Sequence, residues 1–190
     1  MPEKSEITVS LEGREIHFTG ELTHGMMREV REAVIRLFEA DRNAPINLMM
    51  NSGGGDVDAV VAFYELVMMK QIPLRVVALF SADSAAIVIL CAGRERCATA
   101  STTFSFHPLT KYMLAGARLS EEQCRRNARE LAHGKQVYCK IVARATGKDP
   151  KAIAGLLKGK RTLDAEAAQA FGLIGEIVAL PSEAPVPTRI

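Results

Sequence analysis

The chain has 190 residues, 48% of them hydrophobic and 24% charged, with a formal net charge of +2 at pH 7. This composition is typical of one ordinary globular domain, and so small a charge argues against nucleic-acid or membrane binding as the main function. The polar N-terminus and the longest apolar stretch, which covers only residues 85–92, predict neither a signal segment nor a membrane span. Four cysteines without a CxxC pair or a nearby histidine predict reduced thiols in a cytoplasmic protein rather than a metal site.

Strand and helix patterns alternate through the first half of the chain. In chain order we predict a hairpin or two edge strands over 7–18, a helix over 26–40, a strand over 46–50, a helix over 57–69, a strand over 74–80 and a helix over 84–92. Gly93 is expected to cap the last of these helices. Such alternation indicates an α/β core built from βαβ crossovers.

Helices of different lengths dominate the second half. In chain order we predict a strand over 102–107, a long helix over 121–145 capped by Ser120, a short helix opened by Asp149-Pro150, a helix from Asp164 to Phe171-Gly172, and a strand over 174–180. The proline-rich residues 181–190 are expected to form a loose tail after a single domain over 1–180.

Ser84 lies where a buried strand gives way to a buried helix, and a turn of this kind can present a hydroxyl at the end of a sheet. The helix dipole favours negative charge near the first residues of a helix, so a nucleophile there is well placed for acyl transfer. A plain helix N-cap is the alternative, because serine often fills that position.

Three glycines follow the strand over 46–50, in the run Asn51-Ser52-Gly53-Gly54-Gly55. Glycine lets the backbone approach a ligand closely, so an N–H group of this turn could point at an oxyanion. A flexible turn is the alternative. Phosphate binding is less well supported, because neither GxGxxG nor a following Gly-Lys-Ser is present.

His107 ends a predicted strand and is followed by Pro108, so its ring should lie at the rim of the sheet. Alternation places Thr103, Ser105 and His107 on one face of that strand. An imidazole there could supply the base that an unassisted serine hydroxyl lacks. A structural role is the alternative, and the other three histidines are interpreted as surface or packing residues.

In their order and spacing, these segments resemble a known family, the proteolytic subunit of the Clp protease. The resemblance covers about residues 18–178, and its motifs are Phe18-Thr19-Gly20, 46–55, 82–93, 104–108, Ala145-Thr146-Gly147 and 163–174. It implies an α/β crotonase-like domain of stacked βαβ units with a helical handle over about 108–145, assembled as a homo-oligomer in rings. It also implies a serine endopeptidase that cuts unfolded polypeptides inside a closed chamber, without a metal or an organic cofactor.

Carried over by position, the resemblance makes Ser84 the nucleophile and His107 the general base. The N–H groups of Gly55 and Ala85 would form the oxyanion hole. The family's aspartate position is occupied by Lys160, whose ammonium group cannot accept a hydrogen bond from an imidazole.

The group that orients His107 is therefore open at this stage. Asp149 and Asp164 are candidates for that role. Alternatively, a Lys160 neutralised by burial could itself act as the base in a Ser–Lys arrangement.

Other departures from the family surround the serine. Phe80 and Ala86 stand where the family favours glycine, and Asp83 stands where it favours a small apolar residue. A carboxylate at that position could repel the oxyanion or bind another group. The segment before the first strand looks shortened, so docking to an AAA+ ATPase is a weaker expectation than ring assembly.

The segment after His107 corresponds to the family's handle. Tyr112, Met113 and Leu114 would suit a substrate strand laid along the sheet edge. The apolar residues Leu131, Val137, Ile141 and Val142 of the long helix are expected to pack either between subunits or on the parent domain.

Two other functions stay open. Lys160 and Asp83 favour a catalytically degenerate ring subunit or scaffold that keeps the fold without turnover. A crotonase-type enzyme acting on coenzyme A thioesters would share the fold and the glycine-rich turn. It would not explain a serine and a histidine at the positions of nucleophile and base.

Overall fold

The computed structural model describes residues 5–111, Gly116 and residues 118–179. Within these residues the elements are, in chain order, β1 (Glu6–Ser10), β2 (Glu15–Thr19), α1 (His24–Ala40), β3 (Ile46–Ser52), α2 (Val57–Lys70), β4 (Leu74–Ala82), α3 (Ala86–Ala92), β5 (Glu95–Thr99), β6 (Thr103–Ser105), α4 (Glu121–Thr146), α5 (Pro150–Gly159), β7 (Thr162–Asp164), α6 (Ala165–Phe171) and β8 (Glu176–Val178). The mixed α/β architecture predicted from the sequence is confirmed.

Most of the strands form one sheet in the order β1-β2-β3-β4-β5-β8. β1 and β2 make the predicted antiparallel hairpin at one edge, and the remaining neighbours along this path are parallel. Parallel neighbours require crossover connections, which α1, α2 and α3 supply between successive strands. The carboxyl ends of β3 and β4 therefore lie at the same edge of the sheet, where the glycine turn and Ser84 follow.

β4 changes partners near its end. Its first half pairs with β5, whereas Ser81 pairs with Thr103 of β6. Between these pairings Phe80 has a φ of 63°, and the register against β3 shifts, which marks a bulge. Beyond the bulge the end of β4 still pairs with β3 at Ala82, and it bends toward β6, which pairs antiparallel with β7. This bend brings the turn after β4 close to the strand that precedes His107.

The core lies between the sheet and the helices that cover it. α3 is buried along its whole length, as its apolar sequence predicts. Phe104 and Phe106 are also fully buried, while Ser105 and His107, which alternate with them, are only half-buried. The predicted alternation around His107 is therefore confirmed, and it keeps the imidazole out of the core.

α4 is the long helix that the sequence predicts. Ser120 caps it, and a reciprocal bond with Gln123 completes a capping box. Its buried side chains are Tyr138, Cys139, Ile141, Val142 and Ala143, whereas residues 121–130 are exposed almost throughout. The C-terminal half of α4 thus packs on its own domain, which places Ile141 and Val142 in that domain's core.

Some boundaries differ from the sequence-based predictions. β4 continues to Ala82 and α3 begins only at Ala86, because a bulge and a turn lie between them. Gly93 is the C-cap of α3, as predicted, with a φ of −68° and its N–H bonded to the Leu90 carbonyl. A side chain there would bring its Cβ within 2.7 Å of the Glu95 carbonyl oxygen, so close packing explains the glycine.

β5 and β7 were not predicted, because β5 begins with charged residues and β7 is too short to show a period. The tail over 181–190 and the apolar run of Tyr112, Met113 and Leu114 lie outside the described residues. None of the described helices combines the length and the apolar character that crossing a membrane requires.

The bulge generates a prediction at Phe80, whose side chain is 69% exposed. Left-handed backbone costs an L-residue about 1–2 kcal/mol, and only glycine escapes this cost. We expect Phe80→Gly to be more stable than Phe80→Ala by about 1 kcal/mol, measured as the free energy of unfolding. At Glu65, an exposed residue inside α2, the order should reverse, since glycine there is about 1 kcal/mol worse than alanine. Equal stability of the two Phe80 variants would contradict a strained bulge.

Candidate active site

An open cleft of about 750 Å³ lies at the carboxyl ends of β3 and β4. Ser84, His107 and the three glycines of the turn all line it. Leu109 and Leu131 add apolar wall on the side of α4. The residues that the sequence singled out for acyl transfer are therefore gathered at one cavity.

Ser84 occupies a strained turn between β4 and α3. Its φ is 53°, in the left-handed region that non-glycine residues rarely adopt. The N-cap of α3 is Ala85, and no side chain makes a capping bond there. The alternative of Ser84 as a plain N-cap is thus wrong. A strained residue persists only where surrounding contacts hold it in place, and such residues cluster at functional sites.

Two hydrogen bonds from separate elements hold the Ser84 backbone. Its N–H donates to the carbonyl oxygen of Ser105 at 2.8 Å, and its own carbonyl accepts from the Tyr138 hydroxyl at 3.2 Å. Burial raises the pKa of Tyr138 well above its ordinary value, so the phenol stays protonated and able to donate. Both the strand before His107 and the helix α4 are thereby tied to Ser84.

Asp83 is also used in this framework. Its carboxylate accepts the N–H of Ser105 at 2.6 Å and the hydroxyl of Ser81 at 3.0 Å. Ser105 therefore donates to Asp83 and accepts from Ser84, which joins the serine turn to β6 by two adjacent bonds. Of the two roles considered for this carboxylate, the geometry favours binding another group, namely the Ser105 amide.

The glycine turn packs directly against Ser84. A Cβ at Gly54 would lie 2.8 Å from the Ser84 Cβ, and one at Gly55 would lie 2.5 Å from the Leu22 carbonyl oxygen. Leu22 donates to the Gly54 carbonyl and accepts from the Asp56 amide. Because Leu22 bonds the residues on either side of Gly55, the Gly55 amide points away from Leu22, toward the side of the strand that faces β4 and Ser84.

The His107 ring is half-buried at the rim of the cleft. Its Nδ1 lies 3.0 Å from the carbonyl oxygen of Pro108. Within the described part of the chain, no hydrogen bond joins His107 to Ser84. The two residues are connected instead through the backbone of Ser105. Its carbonyl oxygen accepts from the Ser84 amide, and His107 follows two positions later in the chain.

Lys160 lies between α5 and β7, the strand that pairs with β6. The N–H of Phe106 donates to the Arg161 carbonyl at 2.8 Å, which extends the pairing of β6 with β7. Lys160 is exposed and ends α5 with a φ of 49°, so it lacks the burial that a Ser–Lys arrangement requires. This finding disfavours the Ser–Lys arrangement.

The candidate carboxylates are occupied elsewhere. Asp149 accepts from the Lys151 amide at 2.6 Å and Asp164 from the Ala167 amide at 2.8 Å, so both are helix N-caps. Asp164 also pairs with Thr103, which lies four residues from His107, or about 13 Å along a strand. Among the residues that the structure describes, neither carboxylate bonds to His107.

Charged pairs line both ends of the cleft. At one end His24 Nε2 lies 3.1 Å from Asp56 Oδ2. At the other end Glu130 of α4 pairs with Lys111 and, at 2.8 Å, with Arg126. The hydrogen bonds from Lys111 and Arg126 lower the pKa of the Glu130 carboxyl. These pairs were missed by the sequence reasoning, because His24–Asp56 and Lys111–Glu130 join residues far apart in the chain and the pair of Arg126 with Glu130 forms no motif.

The described residues offer no group of three or more His, Cys, Asp or Glu side chains that could hold a metal ion. Cys91, the cysteine nearest in sequence to Ser84, is fully buried, and burial raises the pKa of its thiol to about 12. A thiol of that kind is a packing residue and not a competing nucleophile.

The glycine turn generates a prediction with a built-in control. We expect Gly55→Ala to lower the free energy of unfolding by about 2 kcal/mol or more, because Gly55 has a φ of 150° and no room for a Cβ beside Leu22. Gly53→Ala should be close to neutral, since a Cβ there meets no atom within 4 Å. Equal losses in chemical unfolding would contradict the close approach.

A second prediction concerns Asp83. Asp83→Ala leaves the Ser105 N–H without its acceptor, and we expect a loss of about 1.5–3 kcal/mol in unfolding free energy. Asp83→Asn keeps one acceptor oxygen and should lose clearly less. Amide hydrogen exchange at Ser105 should be fastest in the alanine variant. If exchange there matched that of the unchanged protein, the proposed bond would not be structural.

Comparison with known proteins agrees with this architecture. The Clp protease family model matches residues 3–180. The ATP-dependent Clp protease proteolytic subunit 2 of Treponema pallidum (strain Nichols) is 25% identical over 175 residues, which is 92% of this chain and 87% of that protein. The subunit 2 of Borreliella burgdorferi is 27% identical over 173 residues, 88% of this chain and 84% of that one.

A solved structure shares the fold. A point mutant of ClpP1 from Listeria monocytogenes superimposes with a TM-score of 0.78 at 21% sequence identity, covering 88% of this chain and 92% of that one. The predicted Clp-like fold is thereby confirmed. Since the family match extends over nearly the whole length, the chain belongs to the Clp protease family.

Proposed function

We propose that this chain is a serine endopeptidase that hydrolyses peptide bonds of unfolded polypeptides through a Ser84 acyl-enzyme. The observation that carries the proposal is the Ser84 turn. It holds a hydroxyl-bearing residue at a φ of 53° in a cleft that His107 also lines. Hydrogen bonds with Ser105 and Tyr138 hold Ser84 in this strained conformation, and such strain is typical of residues whose position serves a function.

The chemistry follows from the groups at the cleft. His107 takes the hydroxyl proton of Ser84 as Oγ attacks the carbonyl carbon of the peptide bond, and the carbonyl π electrons move to oxygen. When the tetrahedral intermediate collapses, the C–N bond breaks and the imidazolium gives its proton to the leaving amine. A water molecule, deprotonated by His107, then hydrolyses the ester and restores Ser84.

The oxyanion would be stabilised by the backbone N–H groups of Gly55 and Ala85. Gly55 directs its amide toward the Ser84 side of the turn, and Ala85 opens the fully buried helix α3. Donors of this kind need no reorganisation when charge appears, and losing one typically costs about 3–4 kcal/mol of transition-state stabilisation. The tight contact of Gly54 with Ser84 supports this arrangement, because it leaves no space for a side chain between them.

The cleft geometry favours an extended substrate. It opens between the glycine turn and α4, and its apolar wall at Leu109 and Leu131 suits side chains of an unfolded chain. The exposed half of α4 supports assembly with further copies of this chain into a closed ring. An AAA+ ATPase that unfolds substrates is the partner that such a chamber would need.

A second candidate is a ring subunit that keeps the fold without turnover. It is favoured by Lys160, which stands at the position where the family carries its aspartate and cannot accept a hydrogen bond from an imidazole. Loss of the orienting carboxylate costs about 10⁴-fold in turnover in the serine-protease example.

A fluorophosphonate or β-lactone probe distinguishes the two candidates. We expect the probe to acylate or phosphonylate Ser84, as located by peptide mass spectrometry, and we expect Ser84→Ala to remove the label. His107→Ala should slow labelling by at least about 100-fold, the lower range of general-base catalysis. Ser101→Ala is the matched control, since this exposed serine lies outside the cleft.

The same preparations should be tested for peptide hydrolysis and for oligomeric state. Labelling and hydrolysis that both depend on Ser84 support the peptidase. An intact oligomer in which Ser84 takes no label supports the non-catalytic subunit and rules out the acyl-enzyme.

A further inference from the structure

The group that accepts a hydrogen bond from the His107 ring is the unassigned feature of the site. In a serine-hydrolase triad, a carboxylate accepts the Nδ1–H of the histidine, which fixes the tautomer and the ring orientation. Here the candidates Asp149 and Asp164, like Asp83, are bonded to backbone amides, Lys160 can only donate, and none of the carboxylates that the structure describes bonds to His107. Some other group must therefore decide which ring nitrogen carries the proton.

The Pro108 carbonyl lies in the position for this role. Its oxygen is 3.0 Å from His107 Nδ1. A carbonyl oxygen has lone pairs and no proton, so the ring nitrogen must be the donor in this bond. The neutral imidazole then carries its proton on Nδ1 and keeps the lone pair of Nε2 free. That is the tautomer in which Nε2 can accept a proton from a serine hydroxyl.

The carbonyl is held by local covalent geometry and by packing. The pyrrolidine ring fixes φ of Pro108, and the residue before a proline is itself confined to extended backbone. Just after it, Leu109 packs on α4 so closely that a Cβ at Gly134 would lie 3.3 Å from its side chain. Lys111 then pairs with Glu130 of the same helix. An acceptor on so restricted a segment needs little reorganisation.

We propose that the backbone carbonyl of Pro108 is the positioning group of His107 and replaces the missing aspartate in fixing the Nδ1–H tautomer. The inference rests on the proposed function only in assigning His107 the role of base. A neutral carbonyl orients the ring but carries no full charge to stabilise an imidazolium. The site should therefore react, and react more slowly than one with a carboxylate.

The tautomer can be measured without any activity. Wild-type protein labelled with ¹⁵N in the histidine rings gives separate signals for protonated and bare nitrogens, and His107→Gln assigns the His107 pair among four histidines. Above the pH at which the ring is neutral, we expect Nδ1 to be the protonated nitrogen. A proton on Nε2 instead would overturn the proposal, whatever the probe experiments show.

Kinetics of Ser84 labelling then test the function of the bond. Pro108→Gly keeps the carbonyl but frees its direction, and we expect labelling to slow by up to about 100-fold, with probe affinity little changed. Pro45→Gly makes the same substitution at an exposed proline outside the cleft and should label like wild type. Pro108→Gly that labels at the wild-type rate would overturn the proposal.

Rescue separates positioning from a general loss of structure. Lys160→Asp puts a carboxylate at the position where the family carries its aspartate, so in the Pro108→Gly background it should restore labelling to the wild-type rate or above. Lys160→Ala removes the cation without adding an acceptor and should not restore it. Equal effects of the two Lys160 variants would contradict the proposal. If wild-type Ser84 takes no label, the peptidase fails, while the ring-nitrogen measurement still decides the tautomer.

Discussion

The candidate site depends on the pair of backbone bonds that Ser105 makes with the turn after β4. Its amide donates to the Asp83 carboxylate and its carbonyl accepts from the Ser84 amide. These bonds hold a left-handed serine against the strand that leads to His107, so they set the relation of the hydroxyl to the imidazole. They can form because β4 continues past the bulge at Phe80, so that Ser81 pairs with Thr103 of β6 while Ala82 still pairs with Ser52 of β3. The left-handed conformations of Phe80 and Ser84 are therefore offset by hydrogen bonds between β6 and the turn after β4.

Much of this architecture could be predicted from the sequence. Apolar periods located the helices within one or two residues at most ends, and the glycine run marked the turn after β3. The order of the glycines, Ser84 and His107 predicted an acyl-transfer site, and all of these residues line one cleft. These features were accessible because each is a local pattern, and because parallel strands bring successive carboxyl ends to one edge.

Other features could not be predicted because they depend on distant partners or on backbone atoms. Asp83 looked like an obstacle to an oxyanion, since nothing in its neighbourhood reveals that the Ser105 amide is its partner. The Tyr138 bond to Ser84 joins residues 54 positions apart. The Pro108 carbonyl has no side-chain signature at all. Gly93 was correctly predicted as the C-cap of α3, but the close approach of the Glu95 carbonyl, which explains the glycine, has no sequence signature either.

The hydrogen bond of the Tyr138 hydroxyl links the helix α4 to the backbone of Ser84. From Glu121 to Tyr138 the helix rises about 26 Å, and its first turns are surrounded by solvent while its later turns are fixed in the core. A rigid helix fixed at one end transmits a displacement of its exposed turns to its buried turns, so such a displacement would strain the bond from the Tyr138 hydroxyl to the Ser84 carbonyl.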